Sequence, residues 1–83
     1  MLKKKVPFVI VSGGFDPLHE GHLEMIKEAA KLGKALVIVN TDKFLLAKKG
    51  FHLQNESLRS QIMQSLSNVH ESIISIDKDI TIK

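Results

Sequence analysis

Val6-Pro7-Phe8-Val9-Ile10-Val11 runs straight into Ser12-Gly13-Gly14-Phe15-Asp16-Pro17-Leu18-His19-Glu20-Gly21-His22, and this order of apolar run, glycine turn and helix start decides the fold. The opening residues are apolar without alternation, as in a strand buried on both faces of a parallel sheet. Pro7 stands near the strand's start, where a missing N–H is tolerated. Beyond the turn, Leu23, Ile26, Ala29 and Ala30 fall on one helical stripe, with Glu24, Lys27, Glu28 and Lys31 on the other face. The spacing predicts a helix from about Gly21 to Leu32, with Gly33 as a left-handed stop.

The pattern then repeats. Ala35-Leu36-Val37-Ile38-Val39 is a second apolar strand, closed by Asn40-Thr41-Asp42. Residues 43–54 read as a long basic connector carrying Lys43, Lys48, Lys49 and Gly50. Asn55 is placed to cap a helix in which Leu58, Ile62 and Leu66 recur every fourth position. A third strand is expected over Ser72–Ile76, and Ile80-Thr81-Ile82 alternates as a short extra strand would. The order β-α-β-α-β makes an α/β chain with a Rossmann-like parallel sheet, one half of a doubly wound fold. Residues 1–83 form a single domain at most.

Composition narrows the function classes. With no cysteine among 83 residues, disulfides and thiolate metal sites are excluded. Hydrophobic residues make up 43%, so the chain reads as globular rather than disordered. No apolar run approaches the length of a membrane span. Met1-Leu2-Lys3-Lys4-Lys5 resembles the charged start of a signal peptide, but the apolar run after it breaks at Ser12-Gly13-Gly14. A cytoplasmic protein without membrane partners is the expectation. The net charge of +3 is mild, and no Trp or Tyr offers a base-stacking platform, so nucleic acid is not the expected partner. A small anionic ligand suits that charge.

The turn itself points to phosphate. Backbone N–H groups at a helix start favour an anion, and His19 and His22 share a face there. Gly13 and Gly14 allow a tight turn or a close ligand approach, and an ordinary strand-to-loop turn explains them as well. Phe15 reads as a core plug ahead of a base-stacking platform. Asp16 serves equally as an N-terminal cap or as a group orienting a metal-bound phosphate, and Pro17 fixes the chain before the helix. The histidine pair fits three roles: zinc ligands lacking a third partner nearby, two surface histidines, or donors to phosphate oxygens as charge builds during transfer. Gly21 between them favours the third.

The run Gly13 to His22 resembles the HxGH signature of the nucleotidyltransferase superfamily, in its cytidylyltransferase-like branch, with His19-Glu20-Gly21-His22 as the core. Val39-Asn40-Thr41-Asp42 is similar to the family's second-strand end, Lys48-Lys49-Gly50 to its basic loop, and Arg59 falls where the family carries an arginine. The resemblance covers nearly all of the chain from Val9 to Ile76. It implies transfer of a CMP or AMP group from CTP or ATP to a small phosphorylated acceptor, with release of pyrophosphate. Magnesium would assist, bound mainly through the nucleotide phosphates. His19, His22 and Lys48 would be catalytic. Gly13, Gly14, Phe15, Asp16, Gly21, Lys49 and Arg59 would hold the nucleotide, with Arg59 either anchoring acceptor phosphate or fixing the basic loop. Lys48 and Lys49 also read as a solvated loop, and Arg59 as a solubilising helix residue. Positioning and electrostatics dominate such reactions, so no covalent nucleophile is required.

Two departures qualify the resemblance. Gly14 stands where the family often has Thr, removing a hydroxyl from the phosphate site. The family's second signature, similar to Arg-Thr-x-x-Ile-Ser-Thr-Thr, has no counterpart in these 83 residues, so the likeness is to the N-terminal half of the fold. On that reading the first strand becomes a sheet edge, which invites pairing with another chain, and a homo-oligomer joined through the first strands is expected. The competing function is a non-catalytic nucleotide- or phosphate-binding half-domain, or a subunit completed by another polypeptide. A structural half-domain without ligand would leave both histidines and both motif glycines unexplained.

Overall fold

The computed structural model describes residues 7–75, and its elements are β1 (Phe8–Gly13), α1 (Glu20–Leu32), β2 (Lys34–Val39), α2 (Asp42–Lys49), α3 (Glu56–Gln64) and β3 (Glu71–Ile74). The three strands form one parallel sheet in the order β1-β2-β3, with Val11 beside Val37 and Val37 beside Ser72. The expected α/β, Rossmann-like architecture is thus present. The expected start of the first strand at Val6, the end of the third at Ile76 and the short strand at Ile80–Ile82 lie outside the described residues.

Both crossovers pack on the same side of the sheet. Ile26 and Ala29 of α1 and Met63 of α3 meet Val11, Ala35, Val37 and Val39 in one core cluster, closed by Phe15 and Val69. Period-two alternation along the strands selects these residues for the core face. Among the described residues no helix covers the opposite face: Phe8 is 54% and Ile10 61% exposed, and Ile73 is 38% exposed. This corrects the expectation that β1 is buried on both faces. Its apolar run is continuous, yet only Val9, Val11 and Gly13 turn toward helices. β1 is also an edge of the described sheet.

The second crossover differs more from the sequence reading. Residues expected as connector include a full helix, α2, with Thr41 Oγ1 accepting the Phe44 N–H at 3.0 Å and Gly50 closing it at a φ of +88°. Each end therefore carries an ordinary helix signal. In α3, Asn55 caps as expected, its Oδ1 accepting the Leu58 N–H at 2.8 Å. The buried stripe, however, is Arg59 and Met63, while Leu58 is 41% exposed. Gly33 is not left-handed: its φ is 174°, and a Cβ there would lie 2.2 Å from the Pro7 carbonyl oxygen. That carbonyl accepts the Lys34 N–H at 2.9 Å, so close backbone approach, not a turn conformation, requires glycine.

Candidate active site

Among the described residues, the turns that follow β1 and β2 gather at the carboxyl end of the sheet, where ligands of open α/β sheets bind. Residues 14–19 leave β1 there, Asn40 and Thr41 leave β2, and the α2–α3 connector, residues 50–55, folds back over both. Phe15 sits in the left-handed region at a φ of +50°, unusual for a bulky residue. Its ring is 3% exposed and packs edge-on against His22 with centroids 4.9 Å apart. Phe15 is a core plug in this geometry. A Cβ on Gly13 would come within 3.2 Å of that ring, so the glycine makes room for it.

His19 is the N-cap of α1, and it and His22 form a reciprocal cap. The Nδ1 of His19 accepts the Gly21 N–H at 3.1 Å, and the Nδ1 of His22 accepts the His19 N–H at 3.1 Å. Imidazoles here replace the Ser/Thr and Glu/Gln of an ordinary capping box. The two rings stack at a centroid distance of 3.7 Å with 20° between their planes. Gly21 is what lets His19 sit so close, because a Cβ at this position would lie 3.1 Å from the His19 Cε1. Burial, reinforced by the neighbouring His19, holds the His22 imidazole below its ordinary pKa. The expected role of the first-turn amides changes. His22 and Leu23 N–H groups both bond to the His19 carbonyl oxygen, at 2.9 and 3.2 Å, and those of His19 and Gly21 go to the rings. The outward donors that remain on the histidines are their Nε2 atoms.

Asp16 faces the connector. Its Oδ2 accepts the Leu53 N–H at 2.6 Å and its Oδ1 the Gln54 N–H at 2.7 Å, with the side chain 1% exposed. Burial alone would raise the carboxyl's pKa. The two backbone N–H bonds, with Lys49 and Arg59 nearby, outweigh it and hold the group below the usual carboxylate range. The geometry therefore gives Asp16 a third role, neither helix cap nor free carboxylate: it ties the signature loop to the connector.

Of the two lysines, Lys49 is the one brought to the signature. Its Nζ lies 3.8 Å from the Asp16 Oδ2 and 5.0 Å from the centroid of the Phe51 ring. The Lys48 Nζ lies over Phe44, 5.8 Å from that ring's centroid.

Arg59 is 1% exposed, and each of its three nitrogens donates to protein. Its Nε donates to the Gln54 carbonyl at 2.8 Å, its Nη1 to the carbonyls of Gly14 at 3.0 Å and Asn40 at 2.8 Å, and its Nη2 to the Asp42 carboxylate. One side chain thus joins the signature loop, the end of β2, the start of α2 and the connector. Of the two roles weighed for it, fixing the basic loop is the one this geometry suits. The sequence reading names Asp42 only as part of the second-strand end and does not single out Glu56 or His52. Glu56 Oε1 accepts the Asp42 N–H at 2.7 Å, and the His52 Nδ1 lies 3.8 Å from the Asp42 Oδ1. Asp42 and Glu56 are acidic residues opening their helices, a signal that explains their capping value but not their mutual contact. Among the described residues no three His, Asp or Glu side chains converge as metal ligands.

Comparison with known proteins adds the following. The sequence model of the cytidylyltransferase-like family matches residues 10–83. An FAD synthase of Thermococcus sibiricus is 40% identical over 76 residues, spanning 89% of this chain and 51% of the relative. The bifunctional protein HldE of Blochmanniella floridana is 38% identical over 74 residues, spanning 86% of this chain and 15% of its own length. Among solved structures, a lipopolysaccharide core biosynthesis protein of Thermoplasma volcanium superposes with a TM-score of 0.84 at 28% identity, covering 92% of this chain and 63% of the other. The chain spans about half the length of the FAD synthases it matches.

Proposed function

The chain belongs to the cytidylyltransferase-like family, and from that premise we propose that it carries the donor-phosphate half of a nucleotidyl transfer site. A phosphate oxygen of a small phosphorylated acceptor would attack the α-phosphorus of ATP or CTP, and pyrophosphate would leave. The observation that carries this reading is the stacked His19/His22 pair at the α1 start, on the same signature loop whose Asp16 is met by Lys49 from the end of α2. The two imidazoles would donate hydrogen bonds to the phosphates as charge grows in the transition state, and Lys49 would add a positive charge. Asp16 and Arg59 would act by holding the loops that present these groups.

Asp16 is poorly placed to hold a magnesium ion, because its side chain is 1% exposed and each of its oxygens already accepts a backbone N–H. The ion would ride on the nucleotide's own phosphates, where it would neutralise charge. The similarity to FAD synthases puts ATP with a flavin phosphate among the pairs to test, beside CTP with glycerol 3-phosphate and ATP with a sugar 1-phosphate.

Pyrophosphate release with one of these donor and acceptor pairs, abolished in a His19→Ala/His22→Ala double variant, supports the transferase. Nucleotide binding without release from any pair favours the second reading, a nucleotide-binding half completed by another chain. The β1 face and edge left uncovered among the described residues favour that alternative. Pairing of β1 with the β1 of a second copy would make a homo-oligomer. Light scattering at rising concentration tests it, and a constant monomer mass would refute it.

A further inference from the structure

We propose that His19 and His22 meet phosphate as neutral imidazoles, each locked by the helix cap in the tautomer that carries its proton on Nε2. This rests on the phosphate-handling role given to the pair above. A backbone N–H can only donate, so a ring nitrogen that receives one must be unprotonated. Both Nδ1 atoms receive one, at 3.1 Å each, from His19 and Gly21. Each neutral ring must then hold its single proton on Nε2, across the ring from the cap. The cap thereby turns both histidines into outward donors without a positive charge. Two stacked imidazolium rings 3.7 Å apart would repel each other, whereas two neutral rings at that distance do not.

Protonation would undo the arrangement. A proton on the His22 Nδ1 would face the His19 N–H, donor against donor, and one on the His19 Nδ1 would face the Gly21 N–H. The titratable group facing His22 is His19, and Phe15 closes its other side. Glu20 lies between the histidines in the first helical turn, and Asp16 and Lys49 pair with each other. Burial of His22 acts in the same direction by disfavouring its charged form. Phosphate charge therefore meets two hydrogen-bond donors of fixed direction, and the histidines contribute dipoles rather than net charge.

Two-bond proton–nitrogen correlation spectra of the nitrogen-15-labelled chain at pH 7.5 read the tautomers directly. The expected spectrum shows Nε2 protonated and Nδ1 unprotonated in both rings. A proton on Nδ1, or charged rings at that pH, overturns the proposal. Two variants then separate cap from donor. His19→Ser and His19→Thr each keep an oxygen that can accept the cap N–H but carry no donor that reaches the Nε2 position. Their thermal midpoints should stay within about 3 °C of the parent. Their affinity for inorganic pyrophosphate should fall roughly tenfold or more each. Unchanged affinity in both overturns the proposal. A parent chain that shows the expected tautomers yet binds no pyrophosphate overturns the transferase reading, and the ligand named here with it. Wrong tautomers in a chain that does bind pyrophosphate overturn the present proposal alone.

Discussion

Replacing Arg59 by alanine should remove a large share of the stability of this fold. The guanidinium is 1% exposed and donates to three carbonyls and one carboxylate, each on a different segment. Alanine would leave the Gly14, Asn40 and Gln54 carbonyls and the Asp42 carboxylate facing a void. Breaking a buried charged pair from one side costs about 3–5 kcal/mol, chiefly through the charge left behind. Here Asp42 keeps a partly exposed side chain at 27%, so water recovers some of that loss and the lower end, about 3 kcal/mol, is expected. A chain of 83 residues has on the order of 4–12 kcal/mol in total. Urea unfolding followed by far-ultraviolet circular dichroism measures the difference at fixed slope. Arg59→Lys should recover only part of it, because one ammonium cannot reach acceptors spread around a planar fork. An Arg59→Ala chain within about 0.5 kcal/mol of the parent would refute the reasoning, since that is the range of an ordinary surface substitution.

Asp16→Asn should flatten the acid limb of the stability curve. The Asp16 carboxyl titrates below its unfolded value, so its contribution is present above about pH 4 and is lost as pH falls through the lower native value. Unfolding midpoints measured from pH 6 down to pH 3 should fall less steeply in the variant than in the parent, and equal slopes would count against the tie. Gly21→Ala should separate stability from ligand binding. Alanine favours a helix over glycine by about 1 kcal/mol, yet its Cβ would press on the His19 ring from 3.1 Å, so pyrophosphate affinity should drop while the thermal midpoint holds or rises.

The sequence and the structure agree best where local chemistry decides. Strand, glycine turn and helix were legible from Val9 to Leu32 because apolar period, glycine placement and polar face all pointed one way. Helix α2 escaped because Phe44, Leu45, Leu46 and Ala47 stand in one clump, of which Leu45 alone is buried, so no stripe is visible. Its ends were legible in Thr41, Asp42, Lys49 and Gly50, and weighting those caps above the stripe would have found it. The face of β1 left uncovered among the described residues could not be read from its own residues, since continuous apolar character fits a strand with one covered face as well as two.

The site divides in the same way. His19, Gly21 and His22 announce themselves by spacing, but their reciprocal cap is visible only with coordinates. Arg59 stands out in the sequence by its place in the chain, whereas its acceptors include Gly14, 45 positions away. Asp16 likewise reaches Leu53 and Gln54, 37 and 38 positions on. Contacts of such separation follow from the strand order and the folded connector, neither of which a local pattern encodes. That is why Lys48 and Lys49, equivalent in the sequence, part company in the fold: one lies over Phe44, and the other approaches the signature carboxylate.

The most direct measurement is a titration of ATP and of CTP into the nitrogen-15-labelled chain, following every backbone amide and both imidazoles. Nucleotide phosphates held by the histidine pair should shift the Nε2 signals of His19 and His22 together with amides of Gly13–His22 and Gly50–Gln54, with one shared affinity. Shifts confined to the opposite end of the sheet, around Lys34 and His70, with the two imidazoles unmoved, would contradict it.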